Sequence, residues 1–247
     1  YYMGDIKLKT QNIPQLAQEY AKYIKAFALG SKKCIVLDLD NTLWGGVVGE
    51  SGVEGIHLGP TAEGRSFLEF QEHLLSLFKR GVILAINSKN NEEDALKVIR
   101  EHPHMVLKEE HFAAMRINWN DKVANMKSLA EEINIGLDSM VFFDDDHLNR
   151  GLVNEFIPEV AVVDMPVNPS LYVNTLLKLN YFDTLSVTTE DLKKGSMYVE
   201  EKQRRDLAQS TDLTQYLRML DITLRIEHAN KKNIPRIAQL TQKTNQF

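Results

Sequence analysis

Short apolar runs that stop abruptly on polar residues recur along the chain. Residues 34–37 run into Asp38, residues 82–86 into Asn87-Ser88-Lys89, and residues 140–143 into Asp144-Asp145-Asp146. Such runs predict buried parallel strands whose carboxyl ends meet a polar surface. Residues 160–163 predict a further strand and residues 115–117 a weaker one. Between these runs the apolar period becomes helical. Phe67, Phe70, Leu74, Leu77 and Phe78 share one face of a helix over 62–80 that Gly81 closes. Helices are also predicted over about 92–100, 122–133 and 148–156. Ahead of the first strand, Ile13, Leu16, Ala17, Tyr20, Ala21, Ile24, Phe27 and Ala28 line the apolar face of a helix over 13–28. Pro14 suits its first turn and Gly30 its end. Residues 45–60 are rich in glycine with alternating valine and isoleucine, which predicts a short hairpin or flap and no helix.

Strands alternating with helices call for an α/β fold, a parallel sheet covered on both faces. Ligands then bind beyond the carboxyl ends of the strands, near a topological switch point. After about residue 184 the character changes. A charged helix over 189–209, a short helix over 212–220, a strand over 222–226 and a helix over 233–242 make an α+β extension. The expected division is a helical lead-in over 1–31, the α/β domain over 32–184 and the extension over 185–247.

Composition narrows the field. Hydrophobic content of 43% and charged content of 26% are ordinary for a soluble protein, and the net charge of -5 argues against nucleic-acid and anionic-membrane partners. The single cysteine, Cys34, permits no internal disulfide and fits a reducing compartment such as the cytoplasm. No apolar run reaches the ~18–20 residues of a membrane span. The first residues do not read as a signal peptide, and the missing methionine at position 1 points to a fragment of something longer.

The predicted strand ends bring together Asp38, Ser88 and Asp144. In Asp38-Leu39-Asp40-Asn41-Thr42 two carboxylates stand two residues apart. Their repulsion costs stability unless a divalent cation such as Mg²⁺ neutralises it, although an exposed turn uses the same residues for local hydrogen bonds. Ser88 offers a hydroxyl to a phosphoryl oxygen or caps the next helix. Lys122 opens a helix behind its cap Asp121, where its charge opposes the macrodipole, so another use for that charge is expected. Asp144-Asp145-Asp146 repel one another and call for a cation. Other motifs fail. Gly59-x-x-x-x-Gly64-Arg65-Ser66 has arginine where a P-loop needs lysine. The run from Asp38 lacks the turn glycine and closing glutamate of an EF-hand. His102 and His104 have no further zinc ligands at the usual spacing. Trp44, Arg65, Lys89, Arg116 and Trp119 are candidate substrate contacts, with packing the competing role for the tryptophans.

In order, strand–Asp38/Asp40, strand–Ser88, Lys122 at a helix start and strand–Asp144/Asp145 resemble the four motifs of the haloacid dehalogenase superfamily, over about residues 32–165. The longer strings Asp38-Leu39-Asp40-Asn41-Thr42-Leu43-Trp44-Gly45-Gly46, Ser88-Lys89-Asn90-Asn91 and Arg116-Ile117-Asn118-Trp119 resemble its type IIIC, FkbH-like branch. The resemblance implies a three-layer Rossmann-like fold with a small flap in place of a large cap domain. It implies Asp38 as nucleophile and Asp40 as acid and base. It also implies Ser88 and Lys122 on the phosphoryl oxygens of a small phosphorylated substrate, with Asn41, Lys89 and Arg116 beside them. Mg²⁺ is implied on Asp38, Asp144, Asp145 and the Asp40 carbonyl. Relatives in that branch are linked to loading glyceryl units from bisphosphoglycerate onto acyl carrier proteins. The alternatives to a phosphatase are therefore acyl transfer to such a carrier, or a non-catalytic assembly module. Members tied to glyceryl transfer carry a cysteine where this chain has Asn87. Residues 234–242 are similar to the start of a GNAT-like acetyltransferase domain.

Overall fold

A computed structural model describes residues 9–29 and 31–183, then 197–201, 204 and a few positions between 226 and 237. The chain divides into two compact units, Tyr1–Gln203 and Arg204–Phe247. The elements are α1 (Ile13–Leu29), β1 (Cys34–Leu37), α2 (Val48–Gly55), α3 (Arg65–Lys79), β2 (Ile83–Ser88), α4 (Glu92–Glu101), β3 (Phe112–Ile117), α5 (Lys122–Ile133), β4 (Met140–Phe143), α6 (His147–Phe156), β5 (Ala161–Val162) and α7 (Tyr172–Lys178). The expected helix at 212–220 falls outside the described residues, as do most of the strand at 222–226, of the helix at 233–242, of the charged helix at 189–209 and of the GNAT-like stretch.

The five strands form one parallel sheet in the order β3-β2-β1-β4-β5. Side chains alternate across the pleat, so each strand feeds two cores. Ile35, Leu37, Leu84, Ile86, Val141 and Phe143 meet Phe67, Phe70 and Leu74 of α3, Val98 and Ile99 of α4, and Tyr172 of α7. Cys34, Val36, Ile83, Ala85, Met140 and Phe142 meet Met126, Leu129 and Ile133 of α5 and Val153 of α6. Burial on both faces explains why these strands read as continuous apolar runs. From central β1 the chain leaves to β2 and β3 on one side and to β4 and β5 on the other. The carboxyl ends of β1 and β4 therefore flank the switch point.

Several expectations change in detail. Residues 45–60 hold a helix, α2, kinked at Gly52 (φ 67°), with a single antiparallel bridge between Gly45 and His57 in place of a hairpin. Burial of Val48, Ile56 and Leu58 and a carboxylate at the helix start outweigh the glycine content. Strand β3 starts at Phe112, ahead of the expected 115, because Phe112, Ala113 and Ala114 are all buried. The pseudo-P-loop is a packing device, since a Cβ on Gly64 would lie 2.7 Å from the Gly59 nitrogen. Helix α1 forms as expected, and the described part of its apolar face is exposed, Ile24 at 66% and Tyr20 at 62%. Among the described residues no helix is long and apolar enough to cross a membrane.

Gln71 of α3 is fully buried and ties the loop after β1 to the segment before β3. It donates to the Leu43 carbonyl at 2.7 Å and accepts from the Val106 and Leu107 amides at 3.0 and 3.2 Å. Gln71→Leu strands three backbone groups, two of them in buried bonds, and is expected to lower unfolding stability by about 2–3 kcal/mol in urea titration.

Candidate active site

The site is built where β1 and β4 end side by side. The ladder continues one residue past β1, with the Asp38 amide donating to the Phe143 carbonyl at 2.9 Å. Asp38 is 7% exposed and Asp144 fully buried. Between them lies the ammonium of Lys122, ion-paired with Asp144 and 2.9 Å from Asp38 Oδ1. The Lys122 ion pair is the one contact of buried Asp38 Oδ1, and Thr42 Oγ1 is buried without a hydrogen-bond partner. Burial alone would lower the Lys122 pKa, but the charges of Asp38 and Asp144 outweigh it and hold it raised.

Carboxylate oxygens of Asp38, Asp144 and Asp145 lie within 4.8 Å of one another. One ammonium faces three carboxylates, and the imbalance shows in their protonation. Burial and then the Asp38 charge raise the pKa of Asp144 despite its ion pair. Burial, then Asp38 and Asp144, push partly exposed Asp145 up to about 6. Three hard oxygen donors with surplus negative charge fit a divalent cation of the Mg²⁺ type.

Asp40 is held by three donors. Trp44 Nε1 at 2.8 Å and the Val48 amide at 3.2 Å reach Oδ1, and Asn90 Nδ2 reaches Oδ2 at 2.8 Å. Oδ1 thereby caps the start of α2. Desolvation, aided by Asp38, raises the Asp40 pKa against the lowering effect of these bonds. Trp44 is wholly buried, so it serves Asp40 and the core and is not a substrate contact. Asn41 occupies a left-handed conformation (φ 56°), which asparagine tolerates, and its Oδ1 accepts from Gly46 N at 2.8 Å. Its carbonyl accepts from Tyr172 Oη at 2.9 Å.

Ser88 ends β2, buried, and Lys89 follows it, exposed. Asn87 points to the other side of β2, donating to the Lys122 carbonyl at 2.9 Å and accepting from Asn125 at 3.2 Å. It thus braces the first turn of α5, which Asp121 caps through the Ala124 amide. Two expected contacts are not brought to the site. Arg116 bonds Ser128 and pairs with Glu132 at 2.6 Å, along α5 and well past Lys122. Arg65 pairs with Glu69 on the surface of α3. Asn90, Arg150 and Tyr172 carry roles that no local pattern announced. Arg150 donates to the Asp144 and Asp145 carbonyls at 2.8 and 2.7 Å, fixing the acidic turn.

Parallel sheet, switch-point carboxylates and buried lysine together are consistent with a Rossmann-like α/β fold of the haloacid dehalogenase type. The chain is similar to a crystal structure of the N-terminal part of the protein BF1531 from Bacteroides fragilis, which contains a phosphatase domain and is complexed with Mg. Identity is 41% and the TM-score 0.68, over 75% of this chain and 50% of that one. The chain therefore spans half the length of that relative. No family model and no curated protein matches the chain.

The raised Asp145 pKa has a measurable consequence. Its ionisation is costlier in the fold than in the unfolded chain, a penalty absent below about pH 4 and complete above about 6. In EDTA, Asp145→Asn is expected to melt above the parent at pH 7.5, with the gain fading as pH falls to 4; thermal scans across that range decide it.

Proposed function

We propose that the chain is a Mg²⁺-dependent phosphatase of the haloacid dehalogenase type that works through an aspartyl-phosphate on Asp38. The observation that carries the reading is the Lys122 ammonium held between Asp38 and Asp144, with Asp145 completing a cation-binding carboxylate set. The similarity to a phosphatase domain complexed with Mg supports it. The strings around Asp38, Ser88 and Arg116 support the type IIIC branch.

The Asp38 carboxylate attacks phosphorus in line, forming an acyl-phosphate bond between its oxygen and phosphorus as the bond to the leaving oxygen breaks. Lys122 and the Ser88 hydroxyl hold the phosphoryl oxygens while charge shifts. Asp38, Asp144 and Asp145 would hold Mg²⁺, which when bound supplies positive charge against these anions. Asp40 protonates the leaving oxygen, and its raised pKa suits a group that begins protonated. Oδ1 already accepts two hydrogen bonds and Oδ2 one, so the proton sits on Oδ2, on the Asn90 side. Asp40 then takes a proton from the water that attacks phosphorus, which frees the Asp38 carboxylate and releases phosphate.

Hydrolysis is favoured over acyl transfer through a thioester. Cys34, the one cysteine in the sequence, is fully buried at the far end of β1, and burial pushes its thiol far above the ordinary range. The substrate is a small phosphomonoester or acyl phosphate.

Asp38→Asn is expected to lower hydrolysis of acetyl phosphate by about 10³-fold or more in a variant whose circular dichroism spectrum shows that it remains folded. Undiminished turnover would remove Asp38 as nucleophile. With Asp40→Asn, acetyl phosphate, whose leaving group needs no proton, still loads the enzyme. Intact mass spectrometry should detect one added phosphoryl group, and an unmodified variant with equally slow turnover would count against Asp40 as the base.

A further inference from the structure

Ser88 and Lys122 stand on separate elements, the end of β2 and the start of α5. Behind the site a ring of three asparagines joins them. Asn87 is fully buried and Asn125 is 4% exposed. Asn87 Nδ2 donates to the Lys122 carbonyl at 2.9 Å. Asn125, one turn along α5 from Lys122, donates through Nδ2 to Asn87 Oδ1 at 3.2 Å and to Asn118 Oδ1 at 3.0 Å. The Asn118 amide donates to the Ser88 carbonyl at 3.1 Å, and Ser88 follows Asn87 in the chain, which closes the ring. The loop that carries Asn118 is held from outside as well, where exposed Trp119 donates through Nε1 to Asn91 Oδ1 at 3.0 Å.

The needs of a helix end do not account for this ring. A carbonyl in the first turn of a helix already accepts the amide four residues on, so Lys122 requires no donor from β2. Asn87 shares a face of β2 with Ile83 and Ala85, and Asn125 shares the buried face of α5 with Met126 and Leu129, all four in one apolar core. Apolar side chains would fill both places at a lower desolvation cost. What the amides add is direction. A main-chain carbonyl only accepts, so Asn87 turns Nδ2 to Lys122 and Oδ1 to Asn125. Asn118 Oδ1 also accepts from the Asn120 amide at 3.0 Å, and a main-chain amide only donates. Asn125 must therefore offer hydrogens to both neighbours.

We propose that Asn125, together with Asn87 and Asn118, is a positioning residue of the phosphatase. The ring holds the Ser88 and Lys122 backbones at the spacing their side chains need on the phosphoryl oxygens. The proposal rests on the phosphatase reading and adds to it the residues that set this spacing. Those side chains act most strongly as charge shifts in the transition state, so loosening the ring slows the chemistry and spares ground-state binding.

The fixed polarity gives one substitution opposite effects at two touching positions. Asn125→Asp keeps the shape but turns an oxygen on two oxygens, whereas Asn118→Asp keeps the acceptor that Asn125 and Asn120 use. The experiment measures kcat and KM for acetyl phosphate, with circular dichroism showing that each variant is folded. Asn125→Asp and Asn118→Ala are expected to lose about 10- to 100-fold in kcat, with KM within about twofold of the parent. Asn118→Asp is expected to keep kcat within about threefold of the parent. A role in packing alone would leave the kcat of folded protein untouched at both positions. Parent-like kcat in folded Asn125→Asp, or a loss in Asn118→Asp equal to that in Asn118→Ala, would overturn the positioning role and leave the phosphatase reading standing. A parent without acetyl phosphate turnover would overturn both. Should Asn125→Asp fail to fold, the two variants at half-buried Asn118 decide alone.

Discussion

One buried ammonium organises this site. Lys122 is 3% exposed and sits between Asp38 and Asp144, the residues at which β1 and β4 open onto the polar end of the sheet. Two carboxylates at adjacent strand ends repel strongly when dry, and a lysine in the same place without them would lose its proton. Each charge is tolerable only because the others are there. One ammonium still leaves the group short of positive charge, and that shortfall makes the place suited to a divalent cation and to the oxygens of a phosphoryl group.

The surrounding structure keeps the lysine and its partners from relaxing. Asn87 anchors the first turn of α5 through the Lys122 carbonyl, and Asp121 caps the same turn. Arg150 clamps the backbone of Asp144 and Asp145. Asp40 is fixed from α2 by the Val48 amide, from its own loop by Trp44 and from the end of β2 by Asn90. Tyr172, packed edge-on against Phe67 and Phe70, holds the Asn41 carbonyl from α7. The loop that carries both aspartates is therefore braced from elements on three sides, the kind of support that keeps reacting groups in register.

Much of this was legible in the chain, for definite reasons. Strands buried on both faces show as unbroken apolar runs, so their ends, and with them Asp38, Ser88 and Asp144, could be found by eye. Lys122 stood out because its charge is wrong for a helix start. The rest depends on long-range contact. Asn90 and Arg150 look like ordinary polar residues until Asp40 and the acidic turn are placed beside them. Tyr172 acts on a residue 131 positions away. Helix α2 was missed because its glycines argue against it locally, while its capping carboxylate comes from Asp40. Arg116 has the right chemistry for phosphate, but Glu132 and Ser128 draw it along α5. The periodicity of α1 located the helix, while the described residues of its apolar face are exposed.

The account turns on Asp38 accepting a phosphoryl group beside Lys122. The most direct measurement is a crystal structure with Mg²⁺ and beryllofluoride, which mimics an acyl phosphate on an aspartate. The account predicts beryllium bonded to a carboxylate oxygen of Asp38, with fluorines against Ser88 and Lys122 and the cation among Asp38, Asp144 and Asp145. An adduct on a different carboxylate, or an Asp38 left unmodified in a crystal that holds the cation, would contradict it.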